Sequence, residues 1–115
     1  MTPAWHAATQ KLLATGHTVH YLNNKAPQPN RPRATVWSVY DPDHREWTPW
    51  ARLTVPDEPR LEMQGAGCTQ RVDLADGTIL LPVHGRPRSD EKKACNYAAV
   101  LHCGFDGQTL HYIEH

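Results

Sequence analysis

The sequence lacks the features that mark membrane-spanning and nucleic-acid-binding proteins. It contains no run of about eighteen apolar residues, so no segment is expected to cross a membrane as a helix. Lys and Arg together number 12, as do Asp and Glu, so the net charge is zero. A neutral chain gives no general attraction to nucleic acid or to an anionic membrane. The first residues also lack the basic and apolar regions of a signal peptide.

Cysteine is scarce and its count is odd. Cys68, Cys95 and Cys103 are the only three, which excludes a complete disulfide framework. Free thiols predict a reducing compartment, so the chain is expected to be cytoplasmic or to be cut from a longer, exported protein. Cys68, Cys95 and His84 could in principle converge on a metal, but their spacing matches no zinc motif, and no metal site is predicted.

Motifs for nucleotides and for serine nucleophiles are absent as well. There is no glycine-rich phosphate loop, no P-loop and no nucleophile elbow, so no cofactor is expected.

The composition of what is present favours a loop-rich β protein. The chain has 115 residues, 39% of them hydrophobic, with ten prolines, seven glycines and a mean hydropathy of −0.65. This length predicts a single domain. No segment keeps a helical period, although residues 2–13 allow a short helix as the alternative to a strand, because Thr2-Pro3 resembles a helix start. The sequence therefore predicts an all-β fold.

Alternation and turn residues predict the strands. We expect strands at residues 11–22, 33–40, 46–55, 68–74 and 78–83, and a closing hairpin over 96–115. Gly16 is interpreted as a bulge or turn within the first of these. Proline-rich and polar stretches at 23–32, 56–67 and 84–93 are expected to be loops.

The pattern of the closing hairpin recurs earlier in the sequence, which predicts a repeat. Asp106-Gly107 is a strong tight-turn dipeptide. A shift of 63 positions places Asp43 on Asp106 and Trp47 on Leu110. Residues 68–115 then give four antiparallel strands in meander order, and residues 5–55 give a similar unit whose innermost strand is short or missing. Four such strands are the content of one propeller blade.

The residues of these turns and strands resemble a known family. Phe105-Asp106-Gly107-Gln108-Thr109-Leu110 resembles a degenerate Asp-box, the turn between the third and fourth strands of sialidase propeller blades. The stretch from Cys68 to Val83 is similar to the first two strands of a blade in bacterial sialidase-like, BNR-repeat proteins. The resemblance implies one partial domain over 1–115, made of antiparallel four-stranded meander blades of a six-bladed β-propeller. Blade one would span about 5–55 and blade two about 68–115.

The resemblance also implies a function and a set of site residues. Its activity would be exo-glycoside hydrolysis of sialic acid or a related acidic sugar, with a Tyr nucleophile, an assisting Glu and an arginine cluster that binds the carboxylate. No tyrosine partner is identifiable for Glu62, so catalysis by this chain alone stays open. The residues expected to contact the sugar are Arg71, Gln70, His6, His17 and Arg33, with His6 and His17 near one end. Asp43, Trp47, Asp106 and Gly107 are expected to have structural roles in the turns.

Two other readings remain open at this point. Two blades do not close a ring, so the chain could be a lectin-like carbohydrate-binding module that forms a six-bladed ring by trimerising. It could instead be a non-catalytic structural piece whose exposed strand edges make it aggregate unless further blades cover them. The mass in solution separates these readings.

Overall fold

The computed structural model describes residues 1–19, 21, 23–25, 33–67, 69–86 and 96–115. All regular structure in these ranges is β-strand, which confirms the all-β prediction. The alternative of a helix over 2–13 is wrong, because Thr2–His6 and the residues from Lys11 onward are two paired strands. Among the described residues, no helix is long and apolar enough to cross a membrane.

Sheet one is built from the first half of the chain. Its strands are β1 (Thr2–His6), β2 (Lys11–Val19), β3 (Arg33–Asp41), β4 (Glu46–Trp47) and β5 (Ala51–Arg52). They are antiparallel in the order β1-β2-β3, and both β4 and β5 pair with β3.

Gly16 lies inside β2 in regular register opposite Val36, so the expected bulge or turn at this glycine is wrong. A Cβ at Gly16 would lie 2.9 Å from the Cα of Met1, and this close approach explains the glycine.

Sheet two repeats this arrangement in the second half of the chain. Its strands are β6 (Gln64–Gly65), β7 (Val72–Asp73), β8 (Ile79–Gly85), β9 (Tyr97–Phe105) and β10 (Leu110–Glu114). They are antiparallel in the order β10-β9-β8, and both β6 and β7 pair with β8. Among the described residues of the strand expected over 68–74, only Val72–Asp73 are in a strand. An additional strand, β6, lies in the segment expected to be a loop.

The hydrophobic core lies between the two sheets. Successive side chains on a strand point to opposite faces, so each sheet gives one row of apolar residues to the core. Sheet one contributes Leu13, Trp37 and Val39, and sheet two contributes Ile79, Leu81, Val83, Leu101, Cys103, Phe105 and Leu110; Leu53, Leu61 and Ala66 from the connections complete the cluster. The core thus holds the two meanders together as one unit.

In each sheet an aspartate carboxylate closes one turn between neighbouring strands, namely β3 and β4 in sheet one and β9 and β10 in sheet two. These correspond to the third and fourth strands of the four-stranded meanders β1-β2-β3-β4 and β7-β8-β9-β10. In sheet two, one carboxylate oxygen of Asp106 accepts the N–H groups of Gln108 at 2.8 Å and Thr109 at 2.7 Å. In sheet one, Asp41 accepts those of Asp43 at 2.9 Å and His44 at 3.5 Å. The two carboxylates thus accept from the residues two and three positions ahead of them.

The sequence prediction had assigned the first of these carboxylates to Asp43, and the structure corrects this to Asp41. Asp43 contributes its backbone N–H to the turn instead. The closing strand pair is Asp41 with Glu46 in sheet one and Phe105 with Leu110 in sheet two, so both turns contain four residues, 42–45 and 106–109. The aspartate is the last paired residue before the turn in sheet one and the first turn residue in sheet two. Trp47 lies against Tyr40, with ring centroids 5.5 Å apart, and is 40% exposed.

These bonds favour the charged form of each turn carboxylate. The pKa of Asp106 lies below its ordinary value because the Thr109 and Gln108 N–H groups bind the carboxylate. The pKa of Asp41 is lowered mainly by the hydrogen bond from the His44 side chain. A third such turn joins β7 to β8, where Asp76 accepts from the hydroxyl and N–H of Thr78 and its pKa is lowered by both.

Candidate functional site

The short strand β6 joins the two sheets at one end. Gln64 and Gly65 pair with Gly85 and His84 of β8, and β6 also contacts β2 and β3. The Oγ1 of Thr35 on β3 donates a 2.6 Å hydrogen bond to the Oε1 of Gln64, and both side chains are buried. Since a buried polar pair of this kind must be satisfied internally, it fixes the position of β6 between the sheets.

Two histidines meet beside this strand. The rings of His17 on β2 and His84 on β8 contact each other edge to face, with centroids 5.9 Å apart. Both are half-buried. We call His17, Thr35, Gln64 and His84 the His17–His84 cluster.

Two glycines make room for the cluster. A Cβ at Gly65 would lie 2.5 Å from the Cβ of His17, and one at Gly67 would lie 3.0 Å from the Cε1 of His84. Gly67 also has a φ of +53°, a conformation that side chains other than glycine rarely adopt. The backbone here can therefore approach the imidazoles as closely as it does only because these two positions carry no side chain.

The chain beyond Gly67 bends back over β8. The hydroxyl of Thr69 lies within hydrogen-bonding distance of two carbonyl oxygens, those of Ala66 and, at 2.9 Å, Pro82. Gln70 follows and is exposed. Gln70 thus lies in the connection from β6 to β7. The sequence analysis had placed it within a strand over 68–74.

Arginines lie at the same end of the sheets. Arg33 pairs with Val19, and alternation places it on the same face of sheet one as Thr35 and His17. Arg86 directly follows β8 of sheet two. Its backbone N–H donates to the backbone carbonyl oxygen of Met63, the residue before Gln64. Cationic and amide side chains are the groups that recognise a carboxylate and sugar hydroxyls, so this end has the chemistry of a site for an acidic, polar ligand.

His6 lies at the other end of β2, so the expectation that it neighbours His17 is wrong. It pairs with Lys11, whereas His17 pairs with Thr35. Its side chain is fully buried; Nδ1 lies 2.8 Å from the Thr9 hydroxyl and Nε2 lies 3.0 Å from the carbonyl oxygen of Gly77. Because a carbonyl only accepts, Nε2 carries the proton, and His6 links the first turn of sheet one to the β7–β8 turn.

Arg71 is also used inside the protein. Its side chain is 2% exposed, and Nε donates to Asp73 at 2.7 Å. The two terminal nitrogens donate to the carbonyl oxygens of Leu13, at 2.8 Å, and Ala4, at 2.9 Å. The guanidinium group thus connects sheet two to β1 and β2, and in this conformation it is not presented to a ligand.

The structure therefore brings together only part of the predicted set. His17 and Arg33 share a face, Gln70 lies in the connection that follows Gly67, and His6 and Arg71 are buried elsewhere. Sequence reasoning missed Gln64 and Thr35, and considered His84 only as a possible metal ligand. The available signal was Gln64-Gly65-Ala66-Gly67, a polar residue among small ones, which the prediction had placed in a loop.

Known proteins give no further guidance, because comparison with protein-family models, curated proteins and solved structures finds no match. Within the described ranges, no three His, Cys, Asp or Glu side chains are grouped as a metal ion would require. Cys68 and Cys95, which the sequence analysis weighed as ligands beside His84, lie outside the described residues.

Proposed function

We propose that this chain is part of a sialidase-like β-propeller and binds an acidic sugar at the His17–His84 cluster. The observation that carries the proposal is the repeated unit: two consecutive antiparallel meanders, each with an aspartate-closed turn between its third and fourth strands. That order of elements is what the Asp-box resemblance implies. The resemblance supplies the ligand class, and the polar end of the sheets supplies groups that suit it.

The proposal covers binding of the sugar and not its hydrolysis, because hydrolysis needs catalytic residues that cannot all be assigned in this chain. A sialidase mechanism needs a tyrosine nucleophile with its glutamate, together with a separate acid. Arginine side chains at positions 33 and 86 would attract the sugar carboxylate, and the imidazoles of His17 and His84 would hydrogen-bond its hydroxyl groups.

A direct test is titration of a methyl sialoside by calorimetry or by NMR. We expect His17→Ala and His84→Ala each to weaken binding about two- to tenfold, because a hydrogen bond to a sugar hydroxyl contributes about 0.5–1.5 kcal/mol. His111→Ala is the matched control, since His111 is exposed on β10 and should leave affinity unchanged. Equal affinities in all four proteins, or no binding by the parent chain, would contradict the proposal.

A second candidate, a binding module that closes its ring by self-association, is favoured by the outward faces of both sheets. On sheet one, Trp5 pairs with Leu12 on the face opposite the core and is 58% exposed. On sheet two, Val100 pairs with Pro82 on the outward face and is 47% exposed. The core already shows that a face of sheet one packs on a face of sheet two, so a second copy is the occupant that these outward faces would take.

This second candidate predicts the mass in solution. A closed ring of three chains would give a particle of about three times 13.0 kDa by light scattering on a sizing column. Val100→Lys should convert it to monomer, because an unpaired charge in an apolar interface is costly. Gln108→Lys adds the same charge at an exposed polar position and should leave the mass unchanged. A parent chain that is monomeric would exclude the ring.

A further inference from the structure

A cleft of about 430 Å³ lies between the two aspartate-closed turns, and we call it the turn cleft. The turn of sheet one supplies Asp41 and Asp43 to its lining, and the turn of sheet two supplies Gly107 and Gln108. Lys11, the first residue of β2, lines it as well, so the turn cleft is at the end of β2 remote from the His17–His84 cluster. Its volume is in the range of small-molecule sites.

Hydrogen bonds and packing fix the walls of the turn cleft. Asp41 binds backbone N–H groups of the turn in sheet one, and Asp106 does the same in sheet two. The turn of sheet two also packs on the start of β2, since a Cβ at Gly107 would lie 3.8 Å from the Cγ of Lys11. The two sheets are therefore joined at this cleft, and its lining groups come from both of them.

The turn cleft has charges of both signs that are not paired with each other. Among the described residues, neither the Lys11 ammonium nor the Asp43 carboxylate has an ion-pair or hydrogen-bond partner. The Asp41 carboxylate, in contrast, accepts from Nδ1 of His44 at 2.6 Å, and this bond is the main cause of its lowered pKa. Lys11 and Asp43 thus line one cleft without contacting each other, and each is available to a ligand group of opposite charge.

The uncharged polar groups of the lining differ in their availability. The hydroxyl oxygen of Thr48 accepts the N–H of Val39 at 3.0 Å, so it already serves the pairing within sheet one. Gln108 is exposed, and only its backbone N–H is bound, by Asp106, among the described residues. Because a side-chain amide both donates and accepts, Gln108 suits a polar uncharged group of a ligand.

We propose that the turn cleft binds a small zwitterion, namely an α-amino acid with a polar uncharged side chain. The ligand carboxylate would pair with Lys11, its ammonium group with Asp43, and its side chain with the amide of Gln108. A zwitterion fits better than a singly charged molecule, because a ligand with one charge would leave either Lys11 or Asp43 without a partner.

L-Glutamine is the probe, titrated by NMR at a pH of about 6.5, where an α-amino group is protonated. Two relatives each lack one of its charges: L-glutaminamide has no carboxylate, and N-acetyl-L-glutamine has no ammonium group. Each should bind the parent chain about fivefold more weakly than glutamine, which is the upper end for an ion pair that stays partly in water.

Two variants assign each charge of the ligand to its partner. Lys11→Gln should weaken glutamine binding about fivefold and should remove the difference between glutamine and glutaminamide, because the carboxylate then has no partner. Asp43→Asn should weaken it by a similar factor and should remove the difference between glutamine and its N-acetyl relative. Lys25→Gln and Asp57→Asn are the matched controls, since they change the same charges at exposed positions outside the cleft and should leave the affinity unchanged.

Three results would overturn the proposal. They are the absence of saturable glutamine binding by the parent chain, equal affinity for glutamine and either relative, and a loss in the two variants that is the same for all three ligands. The sialoside titration bears on none of these results, because it tests the His17–His84 cluster with a different ligand and different residues.

Discussion

Replacing Arg71 by methionine is expected to destabilise the fold by about 3 kcal/mol. The guanidinium group is buried and donates to three separate partners: the Asp73 carboxylate and the carbonyl oxygens of Leu13 and Ala4. Methionine fills similar space but donates to none of these three acceptors. Breaking a fully buried pair costs about 3–5 kcal/mol, and the lower end applies because the Asp73 side chain is 26% exposed and can take water.

Urea unfolding monitored by fluorescence would measure this loss as a lower midpoint at unchanged slope. Arg60→Met is the matched control, because Arg60 is exposed and should change the free energy of unfolding by about 0.5 kcal/mol or less. Asp73→Asn should cost about 1 kcal/mol, since the amide oxygen still accepts and both carbonyl contacts remain. If Arg71→Met and Arg60→Met unfold at the same midpoint, Arg71 does not hold the sheets together.

The different fates of Arg71 and Asp106 show what the sequence could predict. Asp106 closes its turn through the N–H groups of Gln108 and Thr109, so the whole interaction lies within four residues and the local pattern contains it. Arg71 binds carbonyl groups 58 and 67 positions away in the chain. No local periodicity carries that information, so alternation alone suggested a side chain facing a ligand.

The turn in sheet one shows an intermediate case. Asp41 and Asp43 each have a carboxylate that could close this turn. Aligning the two hairpins by a shift of 63 positions selected Asp43, because this shift also aligns Trp47 with Leu110. The strand register does not follow that shift, since Trp47 pairs with Tyr40 whereas Leu110 pairs with Phe105, which the shift places on Pro42. In sheet one the closing pair is Asp41 with Glu46, and the four-residue turn between them has Arg45 at a φ of +56°. Asp41 therefore stands directly before the turn, where its carboxylate accepts the N–H of Asp43.

The candidate site was partly predictable for the same physical reason. His17 was identified from its place next to Gly16 on a strand, but its partner His84 lies on a strand of the other sheet. The two meet because Gly65 and Gly67 allow the backbone of β6 and its connection to pass close to both rings. A glycine in a segment expected to be a loop signals a turn as readily as a close approach, so the sequence alone did not distinguish them.

The thiol of Cys103 is expected to react at least about a thousandfold more slowly in the folded protein than in the unfolded chain. Cys103 is fully buried in the core, and burial raises its pKa from an ordinary value of 9.0 to about 12. The thiolate is the reactive species, and a pKa higher by three lowers its fraction at pH 8 by roughly a thousandfold. Shielding by the surrounding core adds to this protection, so in the native state reaction should proceed through unfolding.

The measurement uses a chain with Cys68→Ser and Cys95→Ser, so that Cys103 is its single thiol. A colour-forming disulfide reagent at pH 8 should react within seconds in denaturant and over hours or longer without it. Adding Leu101→Ala, which removes a buried neighbour and costs about 2–5 kcal/mol, should speed the native-state reaction by at least about tenfold, because reaction then follows the population of open forms. Rapid native-state reaction in the parent background would mean that the strand pairing of β9 with β8 and β10 does not enclose the thiol, and the core between the two sheets would have to be redrawn.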